Sequence, residues 1–159
     1  MAIISISRGA FSGGQALAEC VAEKLGYRCI SREVLIEAAR SHGVPVEKLA
    51  HALDEVPGIF HHMSLEALHY HVYTVEALVR AAQDERVVYH GLAGHVLLKD
   101  VPNILRVRVI AGMESRIETA MGRLHCGREE AAEFIRNSDK KRDKWIKLYQ
   151  HVHSDDPSL

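Results

Sequence analysis

Gly9-Ala10-Phe11-Ser12-Gly13-Gly14-Gln15-Ala16 is the stretch on which the fold turns. It follows Ile3, Ile4 and Ile6, a β-branched run that reads as a short buried strand. It precedes Leu17, Ala18, Val21, Ala22 and Leu25, whose three- and four-residue steps mark one face of a helix that stops at Gly26. A glycine-rich turn between strand and helix lets successive N–H groups face an anion, and the helix N-terminus adds a favourable dipole. Both glycines fit the spacing G-x-x-x-x-G-K-[ST] of a phosphate-cradling loop. The side chains depart from it: Gln15 stands where lysine would reach the β/γ-phosphates, and Ala16 where a hydroxyl would hold magnesium. A glycine turn with a purely structural role is the competing reading of this stretch taken alone.

Outward from the loop, strands and helices alternate. Tyr27 to Ile30 reads as a second strand, followed by a helix from Arg32 to about His42 with Ser31 as its cap and Gly43 beyond its end. Pro45 suits the first turn of a further helix, which Val56, Pro57 and Gly58 break. From Ser64 to about Gln83 one apolar face, including Leu65, Leu68, Val72, Val75 and Leu78, marks a long helix. Arg86 to His90 reads as a third strand leading into Gly91, and Ile104 to Ile110 as a fourth, with a short helical piece near Val96 to Leu98 between them. Two helices follow, Glu114 to about Leu124 and Glu129 to about Tyr149. Such alternation predicts a parallel sheet covered on both faces through right-handed crossovers. No internal repeat and no linker suggests a second domain.

The bulk composition fits a compact enzyme or binding module. At 159 residues, 47% hydrophobic and 26% charged, the chain is long enough for one domain with its own core. A formal charge of -1, with neither sign in a long block, argues against a protein that tracks a nucleic-acid backbone. Cys20, Cys29 and Cys126 are odd in number and show no Cys-x-x-Cys spacing, which points to a reducing, cytoplasmic setting. Arg8 interrupts the apolar start before a signal core or a membrane span could form.

Ile4 to Leu25, ISISRGAFSGGQALAECVAEKL, resembles the opening of the cytidylate kinase-like family, whose phosphate loop reads S-R-x-x-x-S-G-G-[RK] and lacks the Ser/Thr. The similarity continues through Ser31, Arg32 and Glu33, through Val87 to Leu97 with Pro102 and Asn103 after it, and through Asp139, Lys140, Lys141 and Arg142. The resemblance implies an α/β, three-layer P-loop kinase fold with parallel strand order 2-3-1-4, formed by one domain over residues 1–159. The family's ending, an aspartate-proline-serine before a final strand, is cut at Leu159, so a fifth strand is expected to be missing from the chain. By the same resemblance the reaction is ATP-dependent phosphoryl transfer to a pyrimidine nucleoside monophosphate, with ATP and Mg2+ as cofactors. Arg8, Gly9, Ser12, Gly13, Gly14, Gln15 and Ala16 would then meet the donor, and Arg32 the acceptor's phosphate. Arg116, Arg123 and Arg142 would form a mobile lid, with Asp139 beside them. The partner implied is a small-molecule nucleotide, not a nucleic-acid polymer or a membrane, and a homodimer is compatible with it.

Two departures from the family pattern each replace a cation with a neutral group: Gln15 after the double glycine, and Leu92 after Gly91. A catalytically weak, nucleotide-binding regulatory domain is therefore the alternative function. A scaffold with an empty loop is a third. The bland reading of each arginine is a solvated helix face, and Asp139 and Arg142 are three apart, a routine helical contact. Among eleven histidines, His61, His62, His69 and His71 cluster without a completing cysteine or paired carboxylate, so the expectation is a helical surface and no metal site. Trp145 and Tyr149, four apart, read as an apolar helix face.

Overall fold

The β-branched run Ile3, Ile4, Ile6 forms the first strand, β1 (Ile3–Arg8), buried on both faces almost to its end. The computed structural model describes residues 3–31, 33–54, 65–83, 86–91, 94–98 and 100–150. In chain order the other elements are α1 (Gly14–Leu25), β2 (Arg28–Ile30), α2 (Glu33–His42), α3 (Val46–Asp54), α4 (Leu65–Ala82), β3 (Val87–Tyr89), α5 (Gly94–Leu97), β4 (Ile104–Val109), α6 (Met113–Leu124) and α7 (Arg128–Gln150). The four strands form one sheet in the order β2-β3-β1-β4, and every neighbouring pair is parallel, as the alternation of elements predicts. Arg32, the segment around Val56 to Gly58, and Asp156 to Leu159 lie outside the described residues.

Three of the predicted strands, β2, β3 and β4, are shorter than expected by one or two residues, and β3 loses both of its end residues. Arg86 and His90 flank β3 and still hydrogen-bond to the neighbouring strand's segment: Arg28 N–H donates to Arg86 O at 2.8 Å, and His90 N–H to Ile30 O at 3.1 Å. α2 starts at Glu33, and there the capping expected of Ser31 runs in the other direction. The Ser31 N–H donates to the Glu33 carboxylate at 2.6 Å, and the bond from Glu33's own N–H, together with this one, holds that carboxyl below its usual range. α1 ends as its glycine predicts. Gly26, at φ 64°, donates to Glu23 O at 3.2 Å and Tyr27 to Ala22 O at 2.8 Å, closing the last turn.

Alternation along each strand splits the core into two layers. On one face Ile4, Ile6 and Val88 pack against Ala18 and Ala22 of α1. On the other, Ile30, Val87 and Tyr89 meet Val34 and Ala38 of α2, Leu49 of α3, Leu78 of α4, and Leu98 just beyond α5. Each large apolar side chain taken out of water here contributes roughly 1.5–3 kcal/mol. A third, separate cluster joins Ala10 of the glycine-rich turn to Ile117 and Ala120 of α6 and Ala131 and Ile135 of α7. The final helical pair is therefore seated on the loop as well as at its far end, where Trp145 meets His71 of α4 edge to face with ring centroids 5.4 Å apart.

This topology fixes where a ligand can sit. From β1 the chain leaves through α1 over one face, while from β3 it leaves through α5 over the other. Adjacent parallel strands that send their connections to opposite faces open a crevice at their C-terminal ends. Arg8 closes β1 at that crevice and His90 follows the end of β3.

Candidate functional site

The loop between β1 and α1 is held open by two backbone features. Gly13 caps α1 at φ 81°, in the left-handed region, and no side chain caps the helix. The first bond into the helix runs from Leu17 N–H to Gly13 O at 3.0 Å, so the N–H groups of Gly14, Gln15 and Ala16 precede it and carry the positive end of the helix dipole. Gly14 matters for a different reason: a Cβ there would stand 2.5 Å from Arg8 Cδ. The missing side chain is the space through which the Arg8 stem crosses the loop. Ser12 does not point at a ligand in this arrangement, because its hydroxyl donates to Gly9 O at 3.0 Å and closes the turn on itself.

Two arginines from two helices converge on the backbone of residues 8–10, beside the Arg8 side chain. Arg116 of α6 donates through Nε to Ala10 O at 2.8 Å, and its guanidinium pairs with the Asp139 carboxylate. Asp139 of α7 accepts the Ala10 N–H at 2.9 Å. Arg142, one turn on, lies 3.5 Å from Asp139 and donates to Arg8 O at 3.4 Å. Asp139 thus sits on a loop amide between two guanidinium groups, a set of donors that equally suits a phosphate oxygen. The cationic surplus is visible in the arginines' own acidity. Burial lowers the pKa of Arg8, and the nearby charges of Arg142 and Arg123 lower it further, while Glu19 opposes them. Burial lowers that of Arg142 too, against the favourable charge of Asp139. Both remain protonated at any physiological pH.

The sequence-derived residues divide accordingly. Arg8, Gly9, Arg116, Asp139 and Arg142 are brought together. Arg123 is exposed near the end of α6 and reaches this group only as a charge felt by Arg8. Gln15 and Ala16 are exposed, and the Gln15 amide donates to Glu19 Oε1 at 2.9 Å along α1. Arg32 and Leu92 fall outside the described residues. His90 was not anticipated. It is buried, with Nδ1 3.5 Å from Arg8 Nη2, and the available signal was a polar residue closing the buried run of β3 on the ligand-binding end of a parallel sheet.

As to metal, no cluster of three or more His, Cys, Asp or Glu occurs among the described residues. Nor do the loop side chains form a magnesium ligand set: Ala16 offers a methyl group, and Asp139 is engaged by Arg116 and Arg142. Among the described residues no helix is long and apolar enough to cross a membrane.

A parallel sheet in this order, with a glycine-rich turn after the first strand and arginines closing over it, defines a kinase-like α/β fold. The chain belongs to the cytidylate kinase-like family, whose model matches residues 3–159. This membership ties it to nucleotide kinase-like function and to a nucleotide as its small-molecule partner. Among solved structures it is similar to an uncharacterized protein from Eubacterium ventriosum, with a TM-score of 0.73 and 18% identity over 98% of this chain and 82% of that one. It is also similar to TT1252 from Thermus thermophilus, at TM-score 0.53 and 19% identity over 90% of this chain and 83% of the other. At such identities the likeness concerns the fold. No curated protein sequence matches the chain.

Proposed function

We propose that the chain transfers the γ-phosphoryl group of ATP to a pyrimidine nucleoside monophosphate. The observation that carries this reading is the convergence of Arg116 and Arg142 on the loop backbone beside the Arg8 side chain, ahead of the uncapped first turn of α1. Phosphoryl transfer asks for alignment and positive charge more than for covalent chemistry. The amides of Gly13 to Ala16 hold the donor's phosphates, and Arg8 lies across the loop in the part a lysine would play. Arg116, Arg142 and the more distant Arg123 close over the transferring group from α6 and α7, with Asp139 fixing two of them. Arg32, which precedes Glu33 in the sequence, is the residue assigned to the acceptor's phosphate. Magnesium enters only as the counter-ion that the triphosphate brings. The three unpaired cysteines suit a cytoplasmic setting.

A second reading, a nucleotide-binding regulatory domain with little turnover, draws on the tie between Gln15 and Glu19, which turns the residue at the lysine position along the helix. One assay separates the two. The protein is incubated with ATP, Mg2+ and either CMP or dCMP, and ADP is followed. Acceptor-dependent ADP supports the kinase; micromolar nucleotide binding without it supports the regulatory domain; and no binding of any nucleotide overturns both.

A further inference from the structure

We infer that His90 is a positioning residue for Arg8: as a neutral imidazole it accepts a hydrogen bond from the guanidinium through Nδ1 and so holds that charge over the glycine-rich loop. The inference rests on the nucleotide-binding reading for its consequence, and on geometry for its substance. A guanidinium has only donors. The 3.5 Å contact with Arg8 Nη2 is a hydrogen bond when the His90 ring nitrogen presents its lone pair, with the single proton of the neutral ring on Nε2; this is the tautomer we assign. The residue is buried, and its backbone N–H is fixed to Ile30 O at 3.1 Å, on the far side of β3 from β1, so the main chain that carries the ring is anchored in the sheet.

The groups around this pair decide its charge state. Burial and the Arg8 charge both lower the His90 pKa, while Glu19 from α1, Glu33 from α2 and a hydrogen bond to His90's own backbone raise it, and the balance is a lowering. Arg8 in turn faces Arg142 of α7 and Arg123 of α6, and Cys29 of β2 shares the fields of Glu19 and Glu33. Protonating Nδ1 would remove the acceptor and set two cations against each other, so the guanidinium would leave its place. Because the neutral form is the one that holds Arg8, loop affinity for anions is present above the His90 pKa and is lost as pH falls through it.

Two replacements separate this role from mere packing. His90→Asn keeps an acceptor, Oδ1, at the same number of bonds from the backbone as Nδ1, but cannot titrate; His90→Leu keeps bulk and has no acceptor. Affinity for ATP is measured for the wild type and both variants between about pH 4.5 and 8, a range that extends below ordinary histidine titration because His90 is shifted down. At the upper end the leucine variant is expected to bind roughly tenfold more weakly, the loss of about one hydrogen bond to a charged group. The asparagine variant should stay near wild type there and lack the wild type's extra loss at acid pH. Equal weakening by both variants, or coincident acid limbs for wild type and asparagine, would overturn the inference.

A nucleotide-free measurement keeps it testable if the wild type binds no ATP. Nitrogen-15 histidine spectra of the full chain should show the proton on Nε2 at neutral pH, and Arg8→Met should raise the His90 titration midpoint. A proton found on Nδ1, or a midpoint indifferent to Arg8, refutes the contact itself; absence of ATP binding alone refutes only the nucleotide reading.

Discussion

Replacing Asp139 by asparagine should make the protein less stable and, at the same time, a better anion binder. The substitution keeps an oxygen for the Ala10 N–H, now 2.9 Å from the carboxylate, and deletes the charge that faces Arg116 and Arg142. A charge-assisted hydrogen bond at a dry site contributes roughly 1.5–3 kcal/mol, but the Asp139 side chain is 34% exposed and the Arg142 side chain 35%, so solvent screens much of this. The Arg116 side chain is only 12% exposed, and its pairing dominates the loss. A net cost of about 2 kcal/mol follows, which for a chain of this size lowers Tm by roughly 4–8 °C. The ligand effect has the opposite sign. A phosphate oxygen seeking the same amide and guanidinium donors must displace Asp139, and in the variant it displaces a neutral group. If affinity rises tenfold, saturating anion restores about 1.4 kcal/mol more in the variant than in the wild type. Thermal melts with and without ATP, or with inorganic triphosphate, read both quantities. An unchanged Tm, or an anion-induced gain no larger in the variant, would refute the view that Asp139 occupies a phosphate's place.

Three further outcomes are expected. Gln15→Lys puts an ammonium at an exposed position whose present side chain only reaches Glu19, so it should leave Tm within a degree or two and raise phosphoryl transfer on the order of a hundredfold, read as ADP release. Phe134→Ala removes the ring that meets Phe11 edge to face at 5.8 Å and leaves Phe11 at φ 57° without that support; a loss of about 1 kcal/mol should accompany faster proteolysis within α6 and α7. His95 is buried, neither of its ring nitrogens has a hydrogen-bond partner among the described residues, and burial together with Arg108 and Arg106 depresses its pKa to about 4. The unfolded chain therefore takes up a proton near pH 6.5 that the folded one refuses, and stability falls by roughly 3 kcal/mol as pH drops from about 6.5 to 4. His95→Leu should remove that acid limb in urea titrations and stabilise the protein at neutral pH.

Period and punctuation made the fold readable. Ile3, Ile4 and Ile6 before a glycine turn, and the closing glycine at Gly26, located β1 and α1; the alternation of elements led to a parallel sheet, and the family resemblance to its order. The site was readable only in part, because its parts come from distant places. Ala10, Arg116 and Asp139 are brought into contact by the seating of α6 and α7 on the loop, and no local pattern encodes that pairing. Asp139 and Arg142 do make the predicted contact three residues apart. The local description misses what both touch, namely the Ala10 N–H and Arg8 O. The signal at His90, a polar residue after a buried run, was missed for the same reason: it acquires meaning only once β3 lies beside β1.

The absence of lysine from the loop changes how binding and closure are related. A lysine within the loop supplies its charge whether or not anything covers it. Here Arg8 crosses from β1, while the other cations ride on α6 and α7 and reach the loop only when those helices are seated. Seating them in turn costs the burial that lowers the Arg8 and Arg142 pKa values most, and the repulsion of Arg142 and Arg123 on Arg8; Asp139 offsets the cost at Arg142 and Glu19 at Arg8. On the proposed function, a bound triphosphate would offset it more fully, with several negative oxygens in place of one carboxylate. Anion binding and helix seating are then one equilibrium, and any substitution that weakens the Phe11–Phe134 contact must weaken nucleotide affinity with it.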